Sequence, residues 1–394
     1  MTICSFLNFL IPFTLGLGIP KSFSILYAVL LVFGCKAIFS GSPRPPAWVL
    51  VIASFLFLFG FSYAGAMVWH GVWYPWQKWL REISAIVFLP AGCFLGGWLY
   101  GVFSSKSVNR ILISYMAGAL IYALISVFIS HQPWWNLSQT FSHVLRVPWG
   151  EQQWLSTRAV EQRAFLSLAI LPIVFVNLVR YRGFHWSTLC LGLAAASSGY
   201  YVGYTTQSRI GIFTLILSMI PCFWLFKPKI LRRSLLLCAL SAGLILVISG
   251  HVCDERVYLQ SQFILHMPTA LMGGRQLHFP YASCIPSEKL VFGSFEGSSA
   301  FTPHNLLLDI YNDAGLIPFS LFLAAIILLS VRLFRGFHQS LSLYGWSSTI
   351  ALRFSIASVL VVQYLAQPFL YTDQLMFSLG FFFFGSMLFE FRDL

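Results

Sequence analysis

The sequence predicts an all-α polytopic membrane protein with about 12 transmembrane helices. Hydrophobic residues make up 58% of the 394 residues and charged residues only 9%, whereas soluble domains carry about 25% charged residues. The apolar residues also fall in runs of about 20, the length that crosses the hydrocarbon core of a bilayer. Residues 1–394 are therefore predicted to form a single transmembrane domain.

The predicted spans follow one another along the chain with short connections between most of them. None has Lys, Arg, Asp or Glu near its middle. The first run lacks a basic n-region and a small-residue cleavage site, so we expect a retained span and not a signal peptide. The segments are residues 3–19, 23–40, 47–68, 83–103, 111–130, 164–180, 187–204, 210–226, 234–250, 305–331, 346–367 and 374–390.

The charges predict which side of the membrane each connection occupies. The connections 104–110, 180–186, 227–233 and 332–340 carry Lys and Arg but no Asp or Glu, and such loops are cytoplasmic. Both termini are then cytoplasmic as well. The turn at residues 40–46 is also cytoplasmic. The loops on the periplasmic side are then 69–82, 131–163, 205–209, 251–303 and 368–373, and 251–303 is the largest.

The net charge of +12 does not indicate a nucleic-acid partner. The basic residues are scattered between apolar segments, where membrane orientation and anionic lipid headgroups account for them. The composition therefore predicts membrane lipids as partners and excludes nucleic acid.

Ionisable residues that could support chemistry gather on the predicted outer face. Ion-coupled transporters usually carry such residues at mid-membrane, where the coupled ion binds, so this distribution disfavours that class. The outer-face set is Arg163 opening the sixth segment, Arg209 heading the eighth, Arg275 in the large loop, and His304, Asn305 and Asp313 near the start of the tenth.

Each member of this set has a simpler structural interpretation when it is taken alone. Arg209 can reach lipid headgroups, Arg275 can belong to a turn, and Arg163 can pair with Glu161. Together, the arginines and His304 meet the needs of a lipid-linked diphosphate substrate. An arginine fork binds phosphate oxygens bidentately and keeps its charge, and it stabilises negative charge on a diphosphate leaving group. A histidine can take the proton from an attacking sugar hydroxyl.

These motifs, in this order, resemble the O-antigen ligase and O-antigen polymerase family of Gram-negative inner membranes. Residues 290–297, before the histidine, are also similar to that family. The loop arginine of the family corresponds to Arg275, with Arg256 as the alternative. The resemblance rests on Ser208-Arg209-Ile210-Gly211, on Gly274-Arg275, and on Pro303-His304-Asn305 followed by Asp313-Ala314-Gly315-Leu316-Ile317.

The resemblance implies a membrane-embedded glycosyltransferase of the C type that needs no cofactor, nucleotide sugar or metal. It implies transfer of O-antigen glycan, with inversion, from undecaprenyl diphosphate to lipid A–core oligosaccharide on the periplasmic face of the bacterial inner membrane. His304 would be the general base, and Arg209 and Arg275 would hold the diphosphate. The supporting residues would be Arg163, Asn305 and Asp313.

Two alternative functions stay open at this point. An O-antigen polymerase would use the same donor with a growing chain as acceptor. A transporter or flippase would move the lipid-linked glycan across the membrane, but it needs a polar path, and the segments offer little beyond Ser, Thr and Gly.

Two of the eight cysteines, Cys253 and Cys284, lie in the loop 251–303. An oxidising periplasm permits a disulfide between them, and two free thiols are the alternative.

Overall fold

The computed structural model describes a helical bundle together with one small pair of strands. The described residues are 3–18, 22–39, 44–72, 83–104, 108–130, 144–146, 154–171, 186, 190, 192–197, 199, 306–345, 347–366, 370 and 374–389. The predicted segments 210–226 and 234–250 and the loop 251–303 lie outside these residues.

The helices of the described ranges follow the apolar segments of the sequence. They are α1 Ile3–Gly16, α2 Ser22–Phe39, α3 Ala47–Trp69, α4 Leu89–Ser104, α5 Val108–Ser130, α6 Thr157–Ser167, α7 Leu306–Ala314, α8 Leu316–Tyr344, α9 Ser348–Ala366 and α10 Gln374–Phe389. A 3₁₀ turn, Leu168–Ile170, continues α6. The predicted helical class is thus confirmed for this part of the chain.

Within the described residues, three helices are long and apolar enough to cross a membrane: α3, the stretch Val108–Ser126 of α5, and α8. Only 28% of the apolar window of α8 is buried by the rest of the protein. Its exposed side carries Ile327, Leu328 and Phe334. Continuous apolar surface of this kind indicates contact with lipid, because monomers in water rarely expose it.

The helices pack through close contacts between backbones at small residues. On α4, a Cβ added to Gly97 would meet the carbonyl oxygen of Phe382 on α10. On α10, a Cβ added to Gly385 would meet the carbonyl oxygen of Phe94 on α4. Glycine allows two helices in a membrane to approach until their backbones touch. Among the described elements, α4 and α10 share the most extensive contact.

The predicted segment 305–331 is wrong as a single continuous span. Gly315 has φ of 83°, a left-handed conformation that favours glycine, and it separates α7 from α8. α7 packs against α8, with the Tyr311 and Phe319 ring centroids 5.6 Å apart. α8 then continues to Tyr344, so residues 332–340 are helical and not a loop.

A short strand pair lies beside the helices. β1 (Val144–Arg146) pairs antiparallel with β2 (Trp154–Ser156), in the register Leu145↔Leu155. Both strands lie in the predicted outer connection 131–163. Three residues per strand are too few to produce a recognisable alternation of apolar and polar residues, so the sequence gives no signal for them.

Candidate functional site

α7 brings two carboxyl groups into the protein. Its buried residues are Leu306, Asp309, Ile310, Asp313 and Ala314. Their spacing of three, four, seven and eight residues places them on one face of the helix. The two aspartates therefore share the packed side of α7, one turn apart.

Asp313 is held by a tyrosine from α3. The hydroxyl of Tyr63 donates a hydrogen bond to Oδ2 of Asp313 at 2.9 Å, and both side chains are buried, with exposures of 2% and 5%. Burial raises the pKa of Asp313 to about 7, while the hydrogen bond from Tyr63 opposes the rise. Burial therefore keeps Asp313 protonated to a higher pH than an exposed carboxyl group.

Arg163 is a buried cation on α6, with an exposure of only 6%. Its guanidinium carbon lies 4.3 Å from the centroid of the Tyr122 ring on α5, close enough for a cation–π interaction. Gly18, with φ of 59°, follows the end of α1, and a Cβ there would meet Nη1 of Arg163. Tyr122 of α5 and Gly18 after α1 thus lie beside this guanidinium. α6 begins at Thr157 and not at the predicted residue 164, so Arg163 lies inside a helix.

α9 connects the arginine region with the aspartate region. Nε2 of Gln363 donates to the backbone carbonyl of Gln162 at 3.0 Å, and both side chains are buried. α9 also packs against α7, and Tyr364 and Leu306 line one groove. Both candidate regions therefore contact the C-terminal half of one helix.

Several residues that form these two regions lie at helix ends that the charge pattern predicts to face the outside. Gly18 follows the end of α1, Tyr63 is in the last two turns of α3, and Gln363 is in the last turn of α9.

A separate polar cluster lies near the starts of α5 and α9. Nε of Arg353 donates to Oδ1 of Asn109 at 3.2 Å, and Nδ2 of Asn109 donates to Oγ1 of Thr349 at 2.9 Å. These are the helix ends that the charge pattern predicts to face the cytoplasm.

Of the sequence-predicted site residues, the structure describes Arg163 and Asp313. They lie on different helices, each packed against α9. The other predicted residues lie outside the described part of the chain: Arg209, Arg275, its alternative Arg256, His304, Asn305, Cys253 and Cys284.

Buried polar residues of this region that are not among the sequence-predicted site residues include Asp309, Tyr63 and Gln363. Asp309 could have been found, because a second aspartate four residues before Asp313 in an apolar helix predicts a shared face. Tyr63 and Gln363 gave no such signal, since their partners are distant in sequence.

The chain matches no model of a known protein family, and no curated protein sequence matches it significantly.

Proposed function

We propose that this protein is a C-type membrane glycosyltransferase with about 12 spans that acts as an O-antigen ligase. It transfers glycan from undecaprenyl diphosphate to lipid A–core oligosaccharide on the periplasmic face of the inner membrane. Its sequence motifs carry the chemistry: a histidine for the acceptor hydroxyl and arginines for the diphosphate.

The structural observation that carries the proposal is the anchoring of α7. This helix begins two residues after His304, so covalent geometry keeps the Cα atoms of His304 and Leu306 within about 7.6 Å. The Asp313–Tyr63 hydrogen bond fixes α7 in the bundle, and α9 joins it to the helix of Arg163. A general base needs such a fixed support, because small displacements strongly reduce catalysis.

The proposed reaction is a single displacement at the anomeric carbon of the donor. His304 takes the proton of the acceptor hydroxyl, whose oxygen forms the new bond to that carbon. The bond from carbon to phosphate oxygen breaks, and undecaprenyl diphosphate leaves with the electron pair. Arg209 and Arg275 stabilise the developing charge, and the anomeric configuration inverts. No metal ion or cofactor takes part.

We assign Arg163 a supporting part on the donor side. Its guanidinium adds fixed positive charge near the same helix ends, and charge acts over several ångströms in an environment of low dielectric constant. Arg163→Gln should therefore raise the donor KM by about three- to tenfold and leave the acceptor KM unchanged. Arg332→Gln is the matched control, because the Arg332 guanidinium also lies over an aromatic ring, that of Trp48, at 5.1 Å, but on the exposed side of α8.

The decisive experiment measures transfer by the purified full chain in proteoliposomes with lipid-linked O-antigen and lipid A–core. His304→Ala should lower kcat by about 10²–10⁴, the usual contribution of a general base. The matched control is His338→Ala, which changes an exposed histidine of α8. Arg209→Ala should lower kcat/KM by roughly 10–100-fold, with exposed Arg335→Ala as its control. Full activity of either His304→Ala or Arg209→Ala would rule out this mechanism.

The products of a deletion strain separate the ligase from the related functions. Accumulation of lipid-linked polymer supports the ligase, whereas a core capped by one repeat unit supports a polymerase. In proteoliposomes, glycan that changes leaflet without a new covalent bond would indicate a flippase.

A further inference from the structure

An apolar groove lies between α7, α8, α9 and α10, with an empty volume of about 420 Å³ that includes the open space at its mouth. One wall is formed by α8 from Phe322 to Leu333, which corresponds to roughly 16 Å along the helix axis. Leu306 and Leu307 of α7 form another wall. The groove therefore runs along about three turns of α8.

The groove opens at the surface that we assign to lipid. Val361 of α9, 36% exposed, and the exposed Ser330 of α8 belong to its lining. Ser330 lies on the same helix as the exposed Ile327 and Leu328. A hydrocarbon chain can therefore enter sideways from the bilayer.

The lining offers almost no polar partner to a ligand. Its two polar side chains are Ser330, at the opening, and Tyr364. The Tyr364 hydroxyl already donates to the backbone carbonyl of Phe377 at 2.8 Å. A ligand with polar groups would lose its hydrogen bonds to water on entering the groove, whereas a pure hydrocarbon chain has none to lose.

We propose that this groove holds the first isoprene units of the polyprenyl chain of the donor. The inference rests on the proposed function, because it uses His304 as the base beside the reacting carbon. Leu306, in the groove wall, follows His304 by two residues. A chain that occupies the groove must therefore begin close to the reaction centre.

The connectivity of the two substrates selects the donor over the acceptor. In the donor, the hydrocarbon chain begins directly at the diphosphate that leaves from the reacting carbon. In the acceptor, a core oligosaccharide separates the reacting hydroxyl from the acyl chains. An acyl chain of the acceptor is therefore too far from its own reacting hydroxyl to occupy a groove next to His304.

The test uses Val361→Phe, which places a larger side chain at the opening of the groove, with Val331→Phe as the control. Val331 is 41% exposed on α8 and does not line the groove, so the two variants make the same change at similar exposure. Binding of undecaprenyl diphosphate without glycan is measured by native mass spectrometry of the full chain in phospholipid nanodiscs. Val361→Phe should weaken binding about tenfold, Val361→Ile should do so to a smaller extent, and Val331→Phe should leave binding unchanged.

Transfer kinetics provide the second readout. Val361→Phe should raise the KM of the undecaprenyl donor by the same factor and leave the acceptor KM unchanged. A donor cut to one isoprene unit lacks most of the groove contact, so its KM should not respond to the substitution.

The outcomes separate the groove from the proposed function. Unchanged undecaprenyl diphosphate binding in Val361→Phe, equal weakening in Val331→Phe, or a raised acceptor KM would overturn the groove assignment, even if His304→Ala abolishes transfer. Loss of a copurified phospholipid without weaker undecaprenyl diphosphate binding would also overturn it. Weaker binding by Val361→Phe in a protein that shows no transfer would support the groove and contradict the ligase proposal.

Discussion

Replacing Tyr63 by phenylalanine should destabilise the protein by an amount that depends on pH. The change removes the hydroxyl that donates to Oδ2 of Asp313 and keeps the ring among its neighbours. A hydrogen bond to a neutral group contributes about 0.5–1.5 kcal/mol, and one to a charged group about 1.5–3 kcal/mol. The loss should therefore be larger when Asp313 is ionised.

The pKa of Asp313 gives the sign and the pH range. It rises from an ordinary value of 3.8 to about 7 on folding, so the folded state binds more protons between these values. The stability that Asp313 contributes is therefore fullest below pH 4 and is lost as pH rises to about 7. The hydrogen bond from Tyr63 lowers the pKa of Asp313, so Tyr63→Phe should raise that pKa above 7. In the variant, stability should therefore continue to fall as pH rises above 7. We expect the destabilisation to be about 1 kcal/mol larger at pH 8.5 than at pH 5.5.

Thermal unfolding of the full chain in detergent, followed by intrinsic tryptophan fluorescence, tests this expectation at both pH values. Tyr344→Phe is the matched control, because Tyr344 is 71% exposed at the end of α8. Asp313→Asn should remove the part of the pH dependence of stability between pH 4 and 7 that Asp313 causes. In the Asp313→Asn background, Tyr63→Phe should lower Tm by the same amount at both pH values. Equal losses of Tm for Tyr63→Phe alone at pH 5.5 and 8.5 would refute the reasoning.

Three further predictions concern packing, redox state and orientation. Gly97→Ala should destabilise the protein by about 1–3 kcal/mol, because the added Cβ would meet the backbone of α10. Gly65→Ala is the control and should not destabilise it, because the space around Gly65 is open. Equal Tm values for the two variants would contradict this prediction. Alkylation without reductant, followed by mass analysis, should leave Cys253 and Cys284 unmodified as a disulfide, and two alkylated thiols would end that prediction. His70 follows α3, and in a His70→Cys variant whose other accessible thiols are replaced, the new thiol should react with a membrane-impermeant maleimide in intact spheroplasts. Labelling only after permeabilisation would contradict the outer assignment.

The helices could be predicted because their signal is local. Length and apolar composition of a run determine whether it can cross hydrocarbon, and α3 and the 374–390 segment fall within a few residues of their predicted ranges. The break at Gly315 was harder to predict, since apolar residues continue on its C-terminal side and glycine is common within membrane helices.

The site was less predictable, because its geometry depends on contacts between distant parts of the chain. The Tyr63–Asp313 bond joins residues 250 positions apart. No periodicity within α3 or α7 specifies that pairing. Arg163 was recognised as a candidate, but its cation–π contact with Tyr122 was not predicted. A ring on another helix cannot be identified from the residues beside an arginine.

The tight contact between α4 and α10 has a consequence for biogenesis. Synthesis of α10 follows that of α4 by about 270 residues, which at about 5–20 residues per second takes tens of seconds. During this interval the glycine surface around Gly97 has no native neighbour and is available to lipid, to insertion factors or to proteases of the membrane. Maturation of the early half of the chain therefore waits for the last helix, and a nonsense codon close to the end of the gene should lower the abundance of the whole protein.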